Sequence, residues 1–431
     1  MKTEQATLDI PAGLCNVTAE TYLGWNAIRL GNGIVDLVVV PEIGGRIIQL
    51  RIGGEEFLYV NPRHLGKVYT PDQNNVRAGW KNYGGSKVWP APQGWSSDSQ
   101  WPGPPDPILD GGKYSWEIVE TRADEAALAL TSAADEYTGL TLRREIRLAA
   151  DTATIHIQHK IRNSSCRPVR WAAWQVTQQM AGPSLALFAP GRTYRQLLGD
   201  DEFSAVQVSD SGIFRLQYKD QVAKFAVKVE EGWICSLDSP RGLAFAERFR
   251  IFREADYVDD APVAFWVNGS GRYTIHSDHV CARDDPNGCD PYVETEVLSP
   301  LLNLEPDEEY IFDVQWHCAH AGPANSVERV DHCAVITRDL RVDPEGDCFR
   351  VSASFGVFQT GTLELASICR DGRVLDIQPL GPVTPLLPCT VQNRVRADDG
   401  LFRLSLRMRN RSGELMGTIA SARVDSTAAS S

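Results

Sequence analysis

Apolar residues in this chain recur at every second position, and almost no segment keeps them at helical spacing for three turns. Side chains alternate sides along a strand, so this rhythm restricts the chain to sheets that bury one face. Strands are expected at Ile34 to Val40, Ile47 to Ile52, Leu140 to Leu148, Thr154 to Ile161 and Phe402 to Met408. In the last, Phe402, Leu404, Leu406 and Met408 share one side, and Arg403, Ser405, Arg407 and Arg409 the other. Those arginines read as a solvated face and not as a binding patch. Gly31-Asn32-Gly33 is a hairpin signal ahead of the Ile34 strand. The fold class is all-β.

At 431 residues the chain is long enough for two or three domains. The strand rhythm breaks over residues 61 to 113, where Trp80, Trp89, Trp95 and Trp101 stand among prolines. A loop that long is usually functional. Indole faces there either stack on the apolar face of a pyranose or pack the loop onto the sheet. A second break falls at residues 320 to 335. Beyond it come short strands with turn signals, the pattern of an immunoglobulin-like sandwich. The expected division is residues 1–320 as the ligand-bearing domain, 321–425 as an accessory β-sandwich and 426–431 as a disordered tail.

Lysine plus arginine number 43 against 56 aspartates and glutamates, a formal charge of -13. Phosphate backbones are bound by clustered positive charge, so a nucleic acid partner is not expected. No apolar run is long enough to cross a bilayer as a helix, and the acidic, polar start lacks the pattern of a secretion signal. The expected location is cytoplasmic. Ten cysteines without a single C-x-x-C spacing read as reduced, mostly buried thiols. His317, Cys318, His320, His332 and Cys333 are zinc-ligand types, but alternation sends His317 and Cys318 to opposite faces. Neither a metal nor a cofactor is expected, and the oligomeric state is left open.

Chemistry-bearing residues fall on two stretches. In Tyr292-Val293-Glu294-Thr295-Glu296-Val297, alternation puts Tyr292, Glu294 and Glu296 on one face. The two carboxylates are either solvated or line a polar cleft, where burial raises one pKa toward a working value. In Trp171 to Gln179, the residues Trp171, Ala173, Gln175, Thr177 and Gln179 share a face. An amide there offers a donor and an acceptor to sugar hydroxyls. His159, placed with Ile155, Ile157 and Ile161, reads as a satisfied core histidine, whereas His156 faces the polar side.

Five segments in order carry a resemblance. They are Pro41-Glu42-Ile43-Gly44-Gly45-Arg46-Ile47, Gly84-Gly85-Ser86-Lys87-Val88-Trp89-Pro90-Ala91-Pro92-Gln93, Leu109-Asp110-Gly111-Gly112-Lys113, Asn163 ahead of the strand through Gln175, and Val293-Glu294-Thr295-Glu296. Over residues 20 to 318 the chain resembles the galactose mutarotase-like (aldose 1-epimerase-like) superfamily, and within it the DUF4380-type proteins. The resemblance implies a β-supersandwich followed by the small immunoglobulin-like β-sandwich, with a carbohydrate ligand in the supersandwich cleft.

By the same resemblance Glu294 stands where mutarotases carry their catalytic base. Asp110 replaces a substrate-side histidine, and Trp174-Gln175-Val176-Thr177 occupies the acid-histidine strand without a histidine. A glutamine does not donate a proton in this pH range, so the family's acid is not carried over. The implied catalytic set is Glu294 as base, Asp110 or Glu296 as acid and Lys87 as electrostatic stabiliser, with sugar contacts from Trp89, Gln93, Trp95 and Gln175. The expected activity is sugar epimerisation or isomerisation, and less so glycoside cleavage or elimination. The alternative is a carbohydrate-binding protein that retains the cleft and has lost turnover.

Overall fold

The computed structural model of the protein describes residues 14–70, 81–92, 108–275, 278–281, 290–398 and 400–424. Among these there is no α-helix, and the helical turns at Pro41–Ile43, Pro62–His64 and Val258–Asp260 are three residues each.

Two large antiparallel sheets face one another. The first runs in the order Asn16–Tyr22, Trp25–Gly31, Val35–Val40, Arg46–Ile52, Ser86–Ala91, Val169–Met180, Tyr292–Leu298, Val263–Asn268, Ala223–Lys228, Thr193–Leu198. The second runs Val206–Val208, Ile213–Gln217, Leu185–Pro190, Trp233–Asp238, Leu243–Phe249, Glu309–His320, Thr154–Asn163, Leu140–Ala149, Glu125–Thr131, Ser115–Thr121. Alternate residues of both sheets fill the space between them, among them Leu37, Val39, Leu50, Leu128, Leu130, Ile146, Ile157 and Val293. Each such aliphatic side chain contributes roughly 1.5–3 kcal/mol on leaving water, which makes this layer the main source of stability. This is the expected supersandwich, and the strands foreseen at the Val35, Arg46, Leu140 and Thr154 positions are all present.

The Gly31-Asn32-Gly33 turn is fixed by a fully buried Asn32. Its Oδ1 accepts from the backbone N–H groups of Ile34 and Val35, and its Nδ2 donates to the carbonyls of Ala149 and Thr152. One side chain thereby ties the hairpin of the first sheet to the far end of the second.

Two four-stranded sheets follow, built from Arg329–Val330, Ala334–Glu345, Cys348–Val357 and Cys389–Arg396, and from Val374–Val383, Gly361–Cys369, Leu401–Asn410 and Leu415–Arg423. Between them lies a separate core of Ile336, Val351, Phe355, Leu365, Leu404, Leu406 and Met408, the immunoglobulin-like sandwich expected. The arginine face of the Leu401–Asn410 strand is only partly solvated. Arg403 is exposed, but Arg407 and Arg409 both clamp Glu364 on the neighbouring strand, at 2.7 and 2.8 Å.

The smaller sandwich covers the outer side of the second large sheet. Phe358, Val327, Val330 and Val335 pack on Phe188, Trp233, Cys235 and Ala319, and the Phe358 carbonyl accepts from Ala153 N at 2.7 Å and Thr152 Oγ1 at 2.9 Å. His317 stacks on Phe358 with ring centroids 4.4 Å apart, while Cys318 points into the inter-sheet core, the split that alternation demands.

Candidate functional site

The Val169–Met180 strand lies at the middle of the first sheet, between Ser86–Ala91 and Tyr292–Leu298. Both its faces are buried, and each carries polar residues. On the inter-sheet side, Gln175 bonds His159 Nε2 at 2.7 Å and donates to Glu247. Glu247, fully buried on the opposite sheet, also accepts from Thr295 Oγ1 at 2.5 Å and Trp316 Nε1 at 3.2 Å. Burial pushes its carboxyl up to about 7, and burial pulls His159 down to about 3. These groups are closed off from the outer face. His159 is the core histidine foreseen.

The outer face of the same three strands collects the chemistry. Val176 is paired in register with Lys87 on one side and Glu296 on the other, and Gln178 with Glu294. With strands about 4.8 Å apart, the Lys87 and Glu296 backbones are roughly 10 Å from each other across the small floor residue Val176. Trp174 and Trp89 close one end with ring centroids 5.2 Å apart. Trp266, in register with both Glu294 and Lys224, stands on the far side.

Two lysine–tryptophan–carboxylate units face each other across this floor. Lys87 Nζ sits 3.4 Å from the Trp89 ring centre and 3.1 Å from Asp110 Oδ1. Lys224 Nζ sits 4.4 Å from the Trp174 ring centre and 2.9 Å from Glu296 Oε2, which also accepts from Trp174 Nε1 at 3.0 Å. Asp110 Oδ1 is shared with Arg46 at 2.6 Å.

Asp110 arrives from a distant segment because Gly44 allows it. At Gly44, with φ 79°, an added Cβ would lie 1.9 Å from the Asp110 carbonyl oxygen, so only glycine lets the 108–114 segment lie this close to Arg46. The Gly44 N–H then bonds the Gly112 carbonyl at 2.8 Å. On the other side, Gly85 lets the start of the Lys87 strand approach the Ile47 carbonyl, which a Cβ would meet at 2.5 Å.

The electrostatics single out Glu294. It keeps part of its surface open, whereas Glu296 is fully buried. Burial, reinforced by the neighbouring Glu296, pushes the Glu294 carboxyl up to about 7. Burial pulls the Lys87 ammonium down to about 8 against the opposing attraction of Asp110. The two feel each other's charge. Gln178 Nε2 donates to Glu294 Oε1 at 2.7 Å. Two acceptors beside it, Gln178 Oε1 and Glu296 Oε1, are buried and meet no donor among the described residues.

Lys87, Asp110, Glu294, Glu296 and Trp89 therefore meet on one face. Gln175 does not join them: it lies on the inter-sheet side with both ends of its amide bonded. Its assignment as a sugar contact is corrected on that ground. Trp89 is part of a strand and 3% exposed, not an open platform on a loop. Gln93, Trp95, Trp80 and Trp101 lie outside the described residues. Asn163 shapes a turn, donating to the Arg167 and Leu304 carbonyls. Sequence reading missed Gln178, Trp174, Lys224 and Trp266, and gave no role to Arg46. Alternation from Trp174 through Val176 to Gln178 was the available signal for two of them.

Asp331, His332 and Cys333 bring ligand-type atoms within 4.8 Å of one another. Asp331 is engaged by Arg329 and by the N–H groups of Cys333 and Ala334, and burial pushes the Cys333 thiol up to about 12. That donor set is a poor fit for a metal, which needs a thiolate and free lone pairs. Of the eight cysteines whose side chains are described, six are buried. No helix among the described residues is long and apolar enough to cross a membrane.

Comparison with solved structures gives related folds. A TPR-domain containing protein from Parabacteroides distasonis matches with a TM-score of 0.50 and 14% identity, over 78% of this chain and 57% of that one. The chain thus spans little more than half of that protein's length. A galactose mutarotase-like protein from Clostridium acetobutylicum matches with a TM-score of 0.44 and 10% identity, over 71% of this chain and 99% of that one. A galactose mutarotase related enzyme from Lactobacillus acidophilus matches with a TM-score of 0.40 and 10% identity, over 69% and 98%. At such identities the likeness is one of fold. No curated protein matches the chain. The model of one family, DUF4380, described as a domain of unknown function, matches residues 26–250, just over half of the chain, including the strands that carry Lys87, Gln178 and Lys224 and the turn that carries Asp110, and the chain belongs to that family.

Proposed function

We propose that the outer face of the first sheet binds a carbohydrate, with Glu294 as the group that exchanges a proton with it. The observation that carries this reading is the pair of buried acceptors without donors, Gln178 Oε1 and Glu296 Oε1, on either side of Glu294. A buried acceptor left unmet costs free energy, and a ligand rich in hydroxyl donors relieves two such costs at once. Trp89, Trp174 and Trp266, each less than a tenth exposed, pack around these acceptors as a buried apolar wall.

In the catalytic form of this reading, Glu294 near 7 takes a proton from a sugar hydroxyl, and Lys87 near 8 supplies one on the opposite side. That fills the role of the histidine acid which this chain lacks at Gln175. The reaction class is epimerisation or isomerisation of a sugar in a cytoplasmic setting. Asp110, itself bonded to Arg46, holds Lys87 in place. A second reading, binding without turnover, is favoured by that same ion-paired cluster, since a lysine fixed by Asp110 at 3.1 Å also serves as a static hydrogen-bond donor.

The test is calorimetric titration of neutral mono- and disaccharides into the wild-type protein and into Gln178→Leu, a variant that removes one unmet acceptor and the bond to Glu294. Loss of one hydrogen bond predicts roughly tenfold weaker binding with the fold intact. Equal affinity of the two proteins, or no binding of any sugar by the wild type, overturns the reading.

A further inference from the structure

The second large sheet carries a groove of its own, of about 590 Å³, on the outer side that the small sandwich leaves uncovered. One cross-strand row of the sheet forms its floor: Arg147, His156, Gln315 and Arg248 are in register on four adjacent strands. Arg250, just past the end of the Leu243–Phe249 strand, also lines the groove, with its guanidinium carbon 4.7 Å from the Phe252 ring centre. The groove lies on the opposite sheet from Glu294, so nothing in the carbohydrate reading involves it.

The arginines of this groove differ in what they hold. Arg147 is saturated by Glu145 and Glu125, at 2.6 and 2.9 Å. Arg248 and Arg250 make no ion pair with any described carboxylate, and the Nε–H of Arg248 is buried with no acceptor. The chain brings both guanidinium groups to the lining of one groove despite its surplus of acids. The acids that line the groove are already engaged: Glu145 by Arg143 and Arg147, Asp313 by Gln158 Nε2 at 3.0 Å.

His156 adds a donor. Its Nδ1 lies 3.3 Å from Gln315 Nε2, which donates, so the ring proton sits on Nε2. We propose that this groove binds the oxyanion group of a small ligand, a carboxylate or a phosphate, between Arg248, Arg250 and the Nε2–H of His156. Guanidinium groups present paired N–H donors to both kinds of oxyanion, which is the chemistry an isolated surface lysine does not offer.

The experiment titrates the full-length protein with inorganic phosphate and, separately, with citrate at constant ionic strength, following heat and the His156 ring resonances by NMR. Saturable one-to-one binding of at least one probe, a shifted His156 signal and roughly tenfold weaker binding in Arg248→Gln are expected. Arg250→Gln, at an exposed position, gives the same answer should Arg248→Gln fail to fold, and Arg338→Gln on the small sandwich leaves binding unchanged. Tighter phosphate than citrate identifies a phosphorylated ligand, and the reverse a carboxylate. Binding that does not saturate, or that both groove variants retain in full, means an adventitious ion only and overturns the proposal.

Discussion

Lys87 Nζ lies 3.1 Å from Asp110 Oδ1, and both side chains are 2% exposed. Arg46 shares the same oxygen at 2.6 Å. Breaking a buried pair leaves an uncompensated charge, which costs more than the pair itself contributes. Removing Asp110 strips two cations of a shared partner, whereas removing Lys87 leaves Asp110 with Arg46. Asp110→Asn is therefore expected to destabilise by about 3–5 kcal/mol, and Lys87→Met by about 1–2 kcal/mol. Denaturant unfolding measures both. The opposite order contradicts the shared-carboxylate account.

Glu247 gives a pH test of the inter-sheet layer. Its carboxyl is raised from 4.5 to about 7, so the folded state holds the proton more tightly than the unfolded one. Stability from this group is then full below about 4.5 and declines as pH rises to about 7, above which the loss is complete. At about 1.4 kcal/mol per unit the span is on the order of 3 kcal/mol. Glu247→Gln keeps the shape without the ionisation, so it gains on the wild type between pH 5 and pH 8. A stability difference that stays constant over that range contradicts the assignment.

Trp89 is wedged between Trp174 and the Lys87 ammonium. Trp89→Ala is expected to cost about 3–5 kcal/mol of stability, as for a buried indole. An open stacking platform would lose ligand affinity with an unchanged melting temperature, and that result contradicts the buried placement.

Much of the fold was legible because most strands bury one apolar face. Leu401–Asn410, with Leu404, Leu406 and Met408 inward, needs nothing but alternation. The central strand defeats that logic. Its inter-sheet side carries Gln175, Thr177 and Gln179, held by Glu247, His159, Ser86, Thr295 and Ser236, and its outer side carries Trp174, Val176 and Gln178. With both sides buried and both partly polar, alternation divides the residues correctly but does not say which set faces away from the second sheet. Glu294 and Glu296 were placed together by the same rule. Lys224, the partner of Glu296, and Arg46, the partner of Asp110, come from strands far away in sequence, and only the sheet order brings them near.

The contact between the two sandwiches rests on Phe358, 1% exposed and stacked on His317. Phe358→Ala should lower stability by about 3–5 kcal/mol. Sugar affinity should stay within about twofold, because the face proposed to bind it belongs to the other sheet. A chain ended near Ala324 should keep sugar binding but aggregate, having exposed Phe188 and Trp233. Loss of sugar binding in folded Phe358→Ala contradicts the independence of the two regions.

The central claim is tested most directly by NMR of anomer exchange and product formation over mono- and oligosaccharides, with wild type and Glu294→Gln side by side. A general base works when ionised, so wild-type turnover is expected to rise with pH through about 7. Gln retains the acceptor but takes up no proton. The variant should lose turnover by roughly a hundredfold or more while its sugar affinity stays within about tenfold. Turnover undiminished in Glu294→Gln, or a wild type that binds sugars and converts none of them, contradicts Glu294 as the base.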